Sequence, residues 1–296
     1  MGRPCPWPEP LPLDRAEVIA RWAADQVRAH GGAHVVVGVS LGVRICLAAA
    51  EAGIDMTGVR LIGAGEPFTA AKKAAFDRVG AHYVPIYISE DTGPMGMPCA
   101  NPIEPNEQHQ LADNLALIQH PRDVGGHEVD AFYFTTLRER SAKMMLNMES
   151  DDFGIVEERA CGCAWEELGY TRHIRQIRSF GKLTGEGVTL VGSEMIRILE
   201  EVLPERFGGS PQDYQLLEQE NDQGLTRLTL RVSPEVTDTD DRQLIEALIE
   251  AVREGSVAGS LAGSYWEQGD SIQVRRERPT WTARGKLPSL QIGARP

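Results

Sequence analysis

The sequence predicts an α/β fold, a mixed sheet with helices, followed by a small α+β C-terminal domain. Three observations carry this expectation. Short β-branched runs alternate with single helices between Pro12 and Ile88. Near Ser179 the pattern changes to strand, helix, two strands, helix and strand. The length of 296 residues, 42% of them hydrophobic and 25% charged, fits two globular domains at roughly 150 residues each.

The elements follow in order. Pro12 and Asp14 open a helical pattern with Ala16, Ile19, Trp22, Ala23 and Val27 on one face, and Gly31-Gly32 stops it. Val35 to Val39 is a β-branched run of the buried-strand type. A helix from Leu41 to Ala52 and a strand from Val59 to Gly63 come next. Thr69 caps a helix that runs to about Val79, and Tyr83 to Ile88 is a further strand. This alternation predicts a largely parallel sheet. Ser89 to Asn106 is rich in Gly, Pro and Asn and has no periodicity, which predicts a long functional or disordered loop. Leu115 to Ile118, Ala131 to Thr135 and Met144 to Met148 read as strands of an antiparallel section.

Beyond Ser179, Val188 to Val191 reads as a strand, and Glu194 to Leu203 as a helix with Ile196, Leu199 and Val202 inward. Gln215 to Glu218 and Leu225 to Val232 form a hairpin around Asp222-Gln223-Gly224. Thr239 to Arg253 is a helix, Ser271 to Val274 the last strand, and the final dozen residues an extended tail. The expected domains are therefore 1–178 and 179–296.

Composition excludes several function classes. A net charge of −13 argues against a nucleic-acid binder, whose affinity comes from Lys and Arg on phosphates. It leaves room for a nucleotide, which needs only a local positive site. No stretch approaches the roughly 20 apolar residues of a membrane helix. The proline-broken start, Met1 to Pro10, lacks a signal-peptide core, so a cytoplasmic location is expected. Five cysteines, an odd number, argue against a disulfide framework and turn attention to metal or redox use.

Generic motifs are weak. Gly63-Ala64-Gly65 has only two glycines of a dinucleotide fingerprint, Gly181-Lys182-Leu183-Thr184 lacks the rest of a phosphate loop, and Ser40 is outside any nucleophile elbow. Cys161-Gly162-Cys163 offers two thiolates from one tight turn, and Cys99 and His109 could close a tetrahedral Cys₃His shell. On spacing alone that site competes with unrelated reduced cysteines and a surface histidine.

The combination is more specific. Gly65-Glu66-Pro67-Phe68-Thr69 follows a strand, a helix comes next, and the following strand ends in Ser89-Glu90. Asp152 precedes Phe153-Gly154, Ile177-Arg178 lies at the expected junction, and Gly285-Lys286 stands near the end. In this order the motifs resemble the adenylate-forming (AMP-forming) ligases, and the cysteine-rich insert resembles their phenylacetate–coenzyme A ligase-like branch. The resemblance runs from about Leu11 to Leu290 and implies a partial adenylate-forming large domain followed by a small mobile one.

The resemblance implies roles. Gly65, Glu66 and Pro67 would border the adenine and acyl pocket, Ser89 and Glu90 would meet phosphate and Mg²⁺, Asp152 the ribose hydroxyls, and Arg178 ribose or phosphate. Lys286 would be the mobile lysine that reaches the acyl-phosphate. Cys99, His109, Cys161 and Cys163 would hold a structural zinc. Implied partners are ATP or AMP with Mg²⁺, a small carboxylic acid, and an acceptor: coenzyme A, a carrier-protein thiol or an amine. The chemistry asks for such residues, because charge developing on the phosphorus must be met by a cation and a metal. A lysine on a swinging domain supplies that charge in one conformation only.

Two features depart from the family pattern. Its Tyr-Gly-x-Thr-Glu reads here Ile86-Tyr87-Ile88-Ser89-Glu90, which shifts the aromatic by one position. No Ser/Thr/Gly-rich phosphate loop precedes these motifs. The expected function is an acid-activating ligase; the alternative is a truncated, catalytically incompetent relative that binds a nucleotide or a protein.

Overall fold

A computed structural model describes residues 7, 9–124, 127–179, 182–183, 190–237, 239–255, 257–281, 287 and 289–292. Helix α1 (Ala16–His30) buries Ala20, Ala23 and Ala24, small residues that let it lie close to its neighbours. It stops at Gly31, whose φ of 81° suits glycine and whose N–H returns to the Val27 carbonyl. Strand β1 (Ala33–Val36), α2 (Val39–Glu51), β2 (Val59–Gly63), α3 (Ala70–Arg78) and β3 (His82–Pro85) follow. The three strands are parallel, in the order β1-β2-β3, and each connection is a helix, as parallel pairing requires. Ile45, Leu61, Phe76 and Tyr83 are buried in the core between them.

The chain then builds a second sheet from β4 (Tyr87–Ser89), β5 (Gly93–Pro98), β6 (Gln108–Gln110), β7 (Leu115–Val124), β8 (His127–Thr136), β9 (Met148–Glu158) and β10 (Arg172–Ser179), with the short α4 (Ala164–Glu167) before β10. All neighbours are antiparallel, in the order β4-β5-β6-β10-β9-β8-β7. Its core is Leu115, Leu117, Phe132, Phe134 and Ile174.

A short pair, β11 (Lys182–Leu183) and β12 (Leu190–Val191), precedes α5 (Gly192–Arg197), a π-helical turn (Ile198–Val202) and α6 (Leu203–Phe207). The hairpin β13 (Tyr214–Glu220) and β14 (Thr226–Val232) leads to α7 (Asp241–Gly255), α8 (Val257–Gln268), β15 (Ile272–Arg276) and β16 (Leu290–Ile292). These four strands form a mixed sheet, β15-β14-β13-β16, around Trp266, Tyr214, Leu230 and Leu248. Leu225, at the hairpin turn, is buried instead in the core of the parallel sheet.

Several elements differ from the sequence reading, for physical reasons. The expected strand from Tyr83 to Ile88 is two strands in two sheets. Pro85 has no N–H to continue the first ladder, and Ile86 returns its own N–H to Gly63. Val39 starts a helix and does not end a strand, since Gly38 is the N-cap. The expected loop from Ser89 to Asn106 contains β5, which pairs with β4 and β6. Met144 to Met148 is not a strand: Met144 is 92% exposed and only Met145 is buried, and β9 begins at Met148. Helix α8 was not expected, and the tail contains β16, paired with β13. Residues 188–189 of the expected strand lie outside the described residues.

Candidate nucleotide cleft and metal centre

A cleft opens where the two sheets meet. The β2–α3 turn supplies Gly65 and Pro67, β4 supplies Tyr87, β6 Gln108, β9 Asp152 and β10 Arg178. The turn leaves the sheet by a close approach. A Cβ on Gly63 would stand 1.9 Å from the Val37 carbonyl oxygen and 2.7 Å from the Tyr83 hydroxyl, so only glycine fits. Asp152 and Arg178 lie beside an interruption of the β9–β10 ladder, paired with Ser179 and Phe153 respectively. Register shifts between Arg175 and Arg178, and Asp151 and Gln176 take positive φ values of 60° and 53° on the two strands. Bulges of this kind re-aim side chains beside functional sites. Arg178 is exposed at the cleft mouth.

Tyr87 organises the floor. Its N–H donates to Gln108 Oε1 at 2.6 Å, and its hydroxyl donates to Asp152 Oδ2 at 2.7 Å. Burial, and then the adjacent Asp152 carboxylate, raise the phenol well above its usual range, so it stays a donor.

The expected site residues separate into groups. Gly65, Glu66, Pro67, Asp152 and Arg178 line one cleft. The Glu66 carboxylate is engaged in an inner cluster: it accepts from the Ser40 N–H at 3.1 Å, from the Ser40 hydroxyl, and from Lys72 Nζ at 3.0 Å. Ser89 and Glu90 are not among the lining residues. Ser89 Oγ accepts from the Asp91 N–H at 3.2 Å, and Glu90 is exposed. Lys286 lies outside the described residues. Nothing in the local pattern of Gln108 and Lys72 marks them, because their partners are set by folding, and the partnership of Ser40 with Glu66 is likewise set across 26 residues.

A second constellation lies beyond β6. Ligand atoms of Cys99, His109, Cys161 and Cys163 are all within 4.8 Å of one another. His109 Nε2 is 3.1 Å from Cys163 Sγ and 3.6 Å from Cys161 Sγ. A tetrahedral zinc, with bonds of about 2.0–2.3 Å, sets such atoms roughly 3.3–3.8 Å apart. The Tyr170 carbonyl sits 2.6 Å from His109 Nδ1 and can only accept, so Nδ1 carries the proton and Nε2 presents its lone pair to the sulfurs. Gly162 has φ 70°, as the tight Cys-Gly-Cys turn demands, and the Glu166 carboxylate accepts the Cys161 N–H at 2.6 Å.

Burial pushes the Cys163 thiol up, but N–H groups of Ala100 and Glu166, the Cys161 side chain and the Trp165 N–H outweigh it and bring it down to about 6. Cys163 is thus poised as a thiolate, the form that binds metal. Outside the four lie residues the sequence did not reveal. Arg159 donates to Glu107 at 2.9 Å and approaches Cys99 Sγ at 3.6 Å, and His173 Nδ1 is 2.5 Å from Glu107. Cys99, Glu107 and His173 also cluster, but Glu107 is already held by Arg159 and by the Ile103 N–H at 2.6 Å, which leaves the Cys₃His set as the better donor shell.

No family model matches the sequence, and no curated protein matches it either. Solved structures do. An amide bond synthetase, McbA from Marinactinospora thermotolerans, is 16% identical with a TM-score of 0.50, over 91% of this chain and 53% of that one. Over that span the chain shares the fold of the synthetase. An anthranilate CoA ligase, AuaEII, in complex with anthranoyl-AMP, is 13% identical (TM-score 0.39; 92% and 51% covered). The nonribosomal peptide synthetase protein PA1221, with adenylation and PCP domains, is 14% identical (0.47; 81% and 49%). The chain spans about half the length of the structures it matches. Among the described residues no helix is long and apolar enough to cross a membrane.

Proposed function

We propose that this chain is an AMP-forming, acid-activating ligase, phenylacetate–coenzyme A ligase-like, with a large-domain portion at 1–178 and a small mobile domain at 179–296. The observation that carries the reading is the convergence of Tyr87, Asp152 and Arg178 on one cleft with the Gly65–Pro67 turn. A carboxylate held by a half-buried phenol suits the paired hydroxyls of a ribose, and an exposed guanidinium suits phosphate oxygens. The Gly65–Pro67 turn would flank the base and the acid.

In the proposed reaction the substrate carboxylate attacks the α-phosphorus of ATP and pyrophosphate leaves, giving an acyl-adenylate. A thiol of coenzyme A or of a carrier protein, or an amine, then attacks the acyl carbon and AMP departs. Lys286 would place its ammonium at the phosphoryl oxygens in the first step. Magnesium arriving with ATP would neutralise phosphate charge, with Ser89 and Glu90 as its expected contacts. Cys99, His109, Cys161 and Cys163 would hold a structural zinc; four protein ligands leave no open position for substrate. Free thiols fit the reducing conditions of the cytoplasm.

The position of Ser89 and Glu90 outside the cleft favours a second reading, a nucleotide-binding module without activity. Acid-dependent exchange of pyrophosphate into ATP separates the two. Exchange across a panel of aryl and acyl acids supports the ligase; AMP binding with no exchange for any acid supports the module.

A further inference from the structure

The proposed chemistry makes no use of the ion cluster behind the cleft. Lys72, the third residue of α3, has a side chain only 2% exposed. Its ammonium donates to Glu66 Oε2 at 3.0 Å and to the Pro67 carbonyl at 3.2 Å. It also lies 3.7 Å from Oε2 of Glu220, the last residue of β13. Thr69, the cap of α3, accepts the Lys72 N–H at 3.3 Å and donates its hydroxyl to Glu220 Oε1 at 2.5 Å. The turn after β13 is seated on the same helix. A Cβ on Gly224 would come within 2.9 Å of Lys72 Cα, and Leu225 is buried in the parallel-sheet core.

One ammonium therefore serves two buried carboxylates, one from the cleft turn and one from a hairpin some 150 residues later in the chain. A buried carboxylate is tolerated only where a cation or donors compensate it, so the two acids are tied through the cation they share. The same hairpin end, with Asn221 and Asp222, faces Pro67, Phe68 and Arg178 across a second cleft that adjoins the first.

We infer that Lys72 is a positioning residue that couples the seating of the β13–β14 hairpin to the shape of the Gly65–Pro67 turn. Docking of the C-terminal segment thereby helps to set the wall of the nucleotide cleft. The consequence for nucleotide rests on the proposed function above; the coupling itself does not.

Amide hydrogen exchange of the full chain, with AMP calorimetry beside it, tests this on Glu220→Gln and Asp222→Asn. Glutamine keeps an oxygen for the Thr69 hydroxyl and removes only the charge shared with Lys72. Asp222 is exposed in the same turn and serves as the control. Glu220→Gln is expected to speed exchange across residues 65–73 several-fold, well beyond the hairpin itself, and to weaken AMP about three- to tenfold, the size of one ordinary hydrogen bond. Asp222→Asn is expected to leave exchange across residues 65–73 unchanged. Should Glu220→Gln not fold, Leu225→Val loosens the same seat with every charge kept and is expected to show the same pattern more weakly. Faster exchange confined to residues 221–225, or an equal response in Asp222→Asn, overturns the coupling. Wild-type protein that binds no AMP overturns the nucleotide reading, while the exchange comparison still decides the coupling.

Discussion

The Tyr87 hydroxyl meets Asp152 at 2.7 Å although three strands, β5, β6 and β10, lie between their own strands in the sheet. Four strand spacings laid flat would separate β4 from β9 by about 19 Å, at roughly 4.8 Å each. The sheet must therefore curl on itself like a barrel, and this one bond crosses the opening. The cleft sits at that closure. Its two polar walls, Tyr87 on one side and Asp152 with Arg178 on the other, exist as a site only because the sheet bends.

Removing the phenol oxygen should loosen that closure. Tyr87→Phe removes one donor from the Asp152 carboxylate and is expected to cost about 1–3 kcal/mol of stability. Urea denaturation measures the loss. AMP affinity should fall several-fold in the same variant, and unchanged affinity would remove Tyr87 from the site.

Much of this arrangement was legible in the residues, and the limits have physical causes. The alternation of strands and helices up to Pro85, the Thr69 cap and the hairpin around Asp222 to Gly224 are local signals; all three are present, with the first strand ending at Val36 and the helix after it starting at Val39. The Cys161-Gly162-Cys163 turn was legible for the same reason. Strand β5 was not, because Gly93-Pro94-Met95-Gly96 has poor strand propensity and is held by partners on β4 and β6. Helix α8 carries Gly259, Gly263, Ser260 and Ser264, which mask its period; packing against α7 supplies what propensity lacks. The shared Lys72 was out of reach, since nothing near residue 72 announces Glu220.

The metal centre makes a prediction independent of catalysis. Protein purified without chelator should contain about one zinc per chain. Cys161→Ser should lower both zinc content and melting temperature, because binding of a structural metal adds to folding free energy. Metal-free protein with an unaltered melting temperature contradicts the assignment of these four residues.

Gly63 offers a test of the turn that enters the cleft. A methyl group there collides with the Val37 carbonyl, so backbone must move. Gly63→Ala is expected to cost about 1–3 kcal/mol, the range for overpacked sites, read as a lower urea midpoint with an unchanged slope. A midpoint equal to wild type would show that the β2–α3 turn tolerates displacement.

Lys286 carries the chemical step of the proposal. Lys286→Ala should slow acid-dependent pyrophosphate exchange on the order of a hundredfold, the usual loss when one preorganised charge is removed. AMP binding should stay near wild type, because the lysine acts on the phosphoryl group during transfer. Equal exchange in variant and wild type would take Lys286 out of adenylation.

In the proposed function the cleft between the two sheets binds adenine nucleotide through Asp152. Calorimetric titration of AMP into wild type and Asp152→Ala, with circular dichroism to show that both are folded, addresses it directly. Saturable heat is expected for wild type and at least a tenfold weaker or absent signal for the variant, about 1.4 kcal/mol or more. Equal binding by the two proteins, or no heat from wild type at millimolar AMP, would contradict it.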